Sequence, residues 1–62
     1  MYFTIATKIE GKWGIEFGSE DLEDIESQLE ELVRDGYGDD PTVILVTDAD
    51  QLAINEAFAR LK

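Results

Sequence analysis

Carboxylates are the groups with which this chain can do chemistry. Fifteen Asp and Glu stand against five Lys and Arg, and the 62 residues include neither His nor Cys. Without imidazole or thiol the chain lacks the commonest general base, the thiolate nucleophile and the usual zinc ligands. Paired carboxylates can hydrolyse glycosides, but only in a cleft that sets their pKa values apart. A chain this short buries only about 60% of its unfolded surface and rarely encloses such a cleft. Asp48-Ala49-Asp50 matches the metal-binding D-x-D of some transferases, yet it reads more simply as a helix cap followed by a first-turn acid. Asp35, Asp39 and Asp40 surround Gly36 and Gly38, and hard cations prefer oxygen ligands. The spacing of a calcium loop is absent, so the segment reads as a solvated turn. The expectation is a protein that is not an enzyme and uses no cofactor and no metal.

What remains is the placement of the charge. Between Glu16 and Asp40 lie eleven acids and one base, Arg34, while the rest of the chain carries four acids and four bases. The whole net charge of −10 therefore sits in one segment. General solubility does not require such localisation, and self-repulsion of this size works against compactness. Eight of the acids (Glu20, Asp21, Glu23, Asp24, Glu26, Glu30, Glu31 and Asp35) fall between Glu20 and Asp35. As one helix that segment is ~24 Å long, so the carboxylates average about one per 3 Å of axis. A nucleic-acid strand presents one phosphate per ~3.4 Å. Such a surface suits a basic partner that grips phosphates, and it repels nucleic acid itself. Like-charged pairs such as Glu23/Glu26 and Glu26/Glu30 cost the helix about 0.2–0.5 kcal/mol each, which a helix selected for stability alone would avoid.

The elements that must carry this surface follow from periodicity. Tyr2 to Ile9 alternates with a period of two, and so do Trp13, Ile15 and Phe17 beyond a turn at Glu10-Gly11-Lys12, which predicts a hairpin. The large residues of both strands are expected on one face. From Glu20 the apolar spacing becomes helical, with Leu22, Ile25, Leu29, Leu32 and Val33 in one stripe. Ser19 is the expected N-cap, Arg34 sits in the last turn and Gly36 is the expected stop. Gly36 to Pro41 reads as a loop, and Thr42 to Thr47 as a strand. Asp48 is expected to cap a second helix, with Gln51 completing a capping box and Leu52, Ile54, Ala57, Phe58 and Leu61 on its buried side. The order ββαβα predicts one α+β domain over residues 1–62. Its expected form is a two-layer sandwich, with an antiparallel sheet of order 2-1-3, both helices on one face, and Tyr2, Thr4, Ala6 and Lys8 thinly covered on the other. No stretch approaches the ~20 apolar residues of a membrane span, and the first residues do not read as a signal peptide, so a cytoplasmic location is expected.

Tyr2, Ile5, Ala6 and Lys8, then Gly11-Lys12-Trp13-x-Ile15-x-Phe17-Gly18, an acidic helix, and Asp50-Gln51-x-Ala53-Ile54-Asn55 form a pattern spanning nearly the whole chain. It resembles small acidic phage and prophage proteins of the anti-CRISPR and DNA-mimic type. That resemblance implies a stoichiometric inhibitor in the host bacterial cell. Its partner would be a basic, DNA-reading or DNA-gripping surface of a type I Cascade complex, and no catalytic residues carry over. The expected contact residues are Glu20, Asp21, Glu23, Asp24, Glu26, Glu30, Glu31 and Asp35, extended by Tyr37, Asp39 and Asp40. The protein itself is expected to be a monomer or weak homodimer that binds neither nucleic acid nor membrane. The other expectation, from a different class, is an assembly module that pairs through its open sheet face, at Tyr2, Thr4 and Ala6, or through a sheet edge.

Overall fold

The computed structural model describes residues 1–36 and 40–61. Strands β1 (Tyr2–Ile9) and β2 (Lys12–Ser19) are followed by α1 (Leu22–Arg34), β3 (Thr42–Thr47) and α2 (Gln51–Ala59). The three strands pair antiparallel in the order β2-β1-β3, so the fold is α+β with the expected ββαβα succession. Ile9 pairs with Lys12, leaving Glu10 and Gly11 as a two-residue turn with φ of 54° and 81°. Positive φ at both central residues gives the turn whose twist matches the flanking strands, and glycine adopts it without a Cβ clash.

Pairing divides the large side chains of β2 between two faces. Ile5 lies opposite Phe17 but Ala6 lies opposite Ile15, so Glu16 is an extra residue held in a β-bulge. Phe17 therefore shares a face with Phe3 and Ile5. Trp13 and Ile15 fall on the other face with Tyr2, Thr4, Ala6 and Lys8. Consistent with that assignment, the Lys8 Nζ lies 6.0 Å from the centre of the Trp13 ring. The expectation that Trp13, Ile15 and Phe17 share one face fails because the bulge shifts the pleat by one residue.

Both faces of β1 are covered. Ile5 and Thr7 on one side and Thr4 and Ala6 on the other are each 1% exposed or less. A ≈ 180 Å³ cleft lined by Tyr2, Thr4, Ile15 and Gly18 is closed by Gln51 and Ile54, which places α2 on that second face. Tyr2 lies flat over Gly18, where any Cβ would strike its ring and hydroxyl. The crossover rule assigns the side taken by α1. Lys8 N–H donates to Pro41 O (2.9 Å). Backbone groups on the Lys8 side of the pleat therefore point toward β3, and those on the Phe3/Ile5 side toward β2. For L-residues this handedness makes the β2-α1-β3 crossover right-handed only if α1 crosses the Phe3/Ile5 face. The dimensions agree. Three strands at ~4.8 Å spacing span about 10 Å, which matches the shortest of the 30 × 27 × 10 Å extents. The helices thus stack on opposite sides, and the face expected to lie open at Thr4 and Ala6 is occupied by α2. The small side chains of Thr4 and Ala6 leave room for that approach.

The two buried threonines differ in a way that can be measured. The Thr7 and Thr42 Oγ1 atoms are 3.3 Å apart and share a hydrogen bond. Thr4 Oγ1 is buried with no partner among the described residues. Replacing an unpaired buried hydroxyl by a methyl removes a desolvation cost, whereas removing a paired one loses the net contribution of its hydrogen bond. Thr4→Val is expected to raise stability by about 1 kcal/mol and Thr7→Val to lower it by about 1 kcal/mol. Urea midpoints of the two variants check the opposite signs.

Candidate protein-binding surface

The acidic surface is built on α1, and its first turn is fixed by its own carboxylates. Asp21, not Ser19, is the N-cap: it is extended (φ −102°, ψ 116°) and accepts from Glu23 N–H at 2.9 Å. Ser19 Oγ instead accepts from Asp21 N–H (3.0 Å) and donates to Asp24 Oδ2 (3.3 Å). That local turn competes with the helix and starts it two residues later. At the other end Asp35 is the C-cap, and Gly36, at φ 98°, donates to Val33 O (3.2 Å). The expected helix of Glu20 to Asp35 is therefore shorter, with Glu20 ahead of its cap and Asp35 just beyond its last turn.

Glu20, Asp21, Glu23, Asp24, Glu26, Glu30, Glu31 and Asp35 are all exposed, as expected, and Asp40 is half-buried. Tyr37 and Asp39 lie outside the described residues. Asp40 also turns its carbonyl toward Thr42 Oγ1, which donates to it at 3.2 Å.

The acids do not form one line. Ile25, fully buried, marks the inward direction of α1. With ~100° per residue, Glu23, Glu26 and Glu30 lie at about 100–160° on one flank, while Asp24 and Glu31 lie at about 100–120° on the opposite flank. Ser27 and Arg34 occupy the crest between them. The helix thus carries two anionic ridges, and the row Glu23-Glu26-Glu30 spaces its charges by about 5 Å along the axis. The crossover direction and the right-handed helix turn place this row on the side of α1 that looks toward β3. The Asp24/Glu31 row faces outward over β2, consistent with the Ser19 to Asp24 hydrogen bond.

Apolar residues accompany the first row. Leu22 (48% exposed) and Val33 (64%) sit at the β3-facing margin of the helix stripe. On β3, Ile44 (38%) and Val46 (51%) belong to the same sheet face by their pairing with Ile5 and Phe3. α1 rests on β1 and β2, so this part of the face stays open. Periodicity alone assigned Leu22 and Val33 to the core. Their margin positions in the stripe are the one signal that they are exposed.

The second acidic motif is used locally. Asp50, not Asp48, caps α2: its carboxylate accepts from Leu52 N–H (3.3 Å), and its own N–H donates to Asp48 O (2.8 Å). Gln51 is the first helical residue, and its amide donates to Asn55 Oδ1 (2.9 Å) instead of closing a capping box. Leu52, expected on the buried side, is 70% exposed. Among the described residues no group of three or more acids is placed to hold a metal ion, and no helix is long and apolar enough to cross a membrane. Compared with protein-family models, curated proteins and solved structures, the chain matches none.

Proposed function

We propose that this protein acts by binding alone, as a phage-type anti-CRISPR inhibitor of the DNA-mimic kind. Its α1 ridges would occupy a basic surface with which a type I Cascade complex reads or grips target DNA, in the host bacterial cytoplasm. The observation that carries the reading is the confinement of the net charge to one exposed helix and its flanks, on an otherwise charge-balanced chain. Geometry adds support. The two ridges are separated by about the diameter of a helix, 10–12 Å, and the phosphate walls of the DNA major groove stand ~12 Å apart. Counting both ridges, the carboxylates offer a basic groove two rows of anions with a single cation, Arg34, between them. Glu20, Asp35 and Asp40 extend the negative field at the two ends of the helix.

The mechanism is competition for the groove, so it depends on screening. The Debye length falls from ~10 Å at 0.1 M salt to ~3 Å at 1 M. Affinity for purified Cascade is expected to drop at least tenfold over that range. The protein should also displace target duplex from Cascade at stoichiometric concentration without cleaving or modifying either partner. A gel-shift competition with labelled target DNA at several salt concentrations measures both. Binding that leaves the DNA in place, or that ignores salt, would sink the mimicry reading.

A further inference from the structure

We infer that β3 accepts an extended, basic segment of the protein partner as a fourth strand. The inference deepens the proposed function and rests on its premise of a basic protein partner. The two edges of the sheet are not equivalent. β2 carries a bulge at Glu16, glycines at 14 and 18 and a charge at Lys12. Bulges and edge charges are the features by which sheets prevent unwanted pairing. β3, Thr42-Val-Ile-Leu-Val-Thr47, has no charge, glycine, proline or bulge, and no described strand pairs with its outer side.

Register fixes which groups this edge presents. Lys8 N–H donates to Pro41 O, so the even-numbered residues of β1 bond toward β3 and their partners Val43, Leu45 and Thr47 bond back. The N–H and C=O groups of Thr42, Ile44 and Val46 therefore point outward. The side chains of Ile44 and Val46 stand on the open apolar face beside Leu22 and Val33, below Glu26 and Glu30. A strand added here completes its backbone bonds on the edge and covers this floor, the mode by which sheets capture extended peptides.

Charge selects the occupant. A second copy of the chain brings another ten negative charges. In an antiparallel β3 to β3 pair it also sets Asp40 near the opposing Asp48. A segment with alternating Arg or Lys avoids both. The aliphatic stems lie over Ile44 and Val46, and the cationic heads reach the Glu26/Glu30 row.

Backbone amide exchange followed by NMR tests this. The probe is a ten-residue peptide of alternating Arg and Val, with a Glu/Val peptide as control and Val46→Lys as the edge variant. The Arg/Val peptide is expected to slow exchange of the Ile44 and Val46 amides at least tenfold. The Glu/Val peptide should do nothing, and Val46→Lys should abolish the protection while the α1 resonances still respond. Shifts at Glu23, Glu26 and Glu30 with no protection at β3 would overturn the strand addition and leave the acidic-surface reading intact. Concentration-dependent protection in the absence of peptide would overturn it in favour of a second copy. No response at either α1 or β3 would overturn both.

Discussion

Changing Glu23, Glu26 and Glu30 together to lysine is expected to weaken binding to a basic, DNA-gripping protein surface by about 2–4 kcal/mol, roughly 30- to 1000-fold. Each exposed ion pair contributes about 0.2–1 kcal/mol, and reversal replaces an attraction with a repulsion of similar size. Three reversals on one ridge therefore reach that range even after solvent screening. The fold should hardly notice, because all three side chains are exposed and none makes a described hydrogen bond through its carboxylate. The Glu23/Glu26 and Glu26/Glu30 repulsions become Lys/Lys repulsions, while the loss of Glu30 beside Arg34 is partly offset by a smaller net charge. Thermal midpoints should thus stay within the shift that about 1 kcal/mol produces. The matched variant, Asp24 and Glu31 to lysine, reverses the ridge that looks away from β3. It is expected to cost less, because that ridge has no apolar floor beside it. Titration calorimetry of both variants against the same Cascade preparation, at one salt concentration, ranks the ridges. Equal affinity of wild type and the triple variant would remove the Glu23/Glu26/Glu30 ridge from the interface.

Shortening Ile25 to alanine is expected to remove about 2–5 kcal/mol, a large part of the protein's stability. Ile25 is the only fully buried residue of α1, 0% exposed, while Leu29 and Leu32 are half-buried and Leu22 and Val33 exposed. Removing a buried isoleucine down to alanine costs about 2–5 kcal/mol. A domain of this length has about 3–9 kcal/mol of stability in total. One side chain thus carries a large share of what holds the helix on β1 and β2. Leu22→Ala and Val33→Ala, at the margin of the same stripe, should each cost under about 1 kcal/mol. Far-UV circular dichroism with urea titration separates the three. An Ile25→Ala midpoint indistinguishable from that of Val33→Ala would show that α1 is held elsewhere.

Much of this architecture was legible because its signals are local. The alternation of Tyr2 to Ile9, the apolar run of Val43 to Val46, the helical stripe around Ile25, the Glu10-Gly11 turn and the Gly36 stop each depend on residues a few positions apart. The helix starts were less legible for a reason that is also local. Ser19 and Asp21, like Asp48 and Asp50, lie two positions apart and are each able to cap. The choice falls to whichever leaves the other in a compatible turn. Layering was not legible, because the faces of β2 depend on pairing with β1. Trp13, Ile15 and Phe17 alternate perfectly along the chain, and only the opposition of Ala6 to Ile15 splits them. Of the candidate surface, the acidic residues and their exposure were legible, and helix geometry alone sorts them into two ridges. The apolar floor at Leu22, Val33, Ile44 and Val46 was not. It depends on where α1 rests across the width of the sheet, and no spacing within α1 or β3 encodes that.

The bulge at Glu16 bears on how many molecules this one can join. Removing Glu16 would let Phe17 and Ile15 oppose Ile5 and Ala6 without interruption, and every large side chain would keep its present face. The core thus tolerates the shorter chain, and what changes is valence. With β2 irregular, β3 is the one regular edge among the described strands, and a strand added there would leave no second regular edge. With both edges regular, β2 of one copy could meet β3 of the next, a head-to-tail contact that no rotation need close. Gly14, Gly18 and Lys12 would still mark the β2 edge, and the negative charge of each copy would still oppose such a contact. Glu16 is thus one residue more than the core needs, and what it adds is irregularity at the β2 edge.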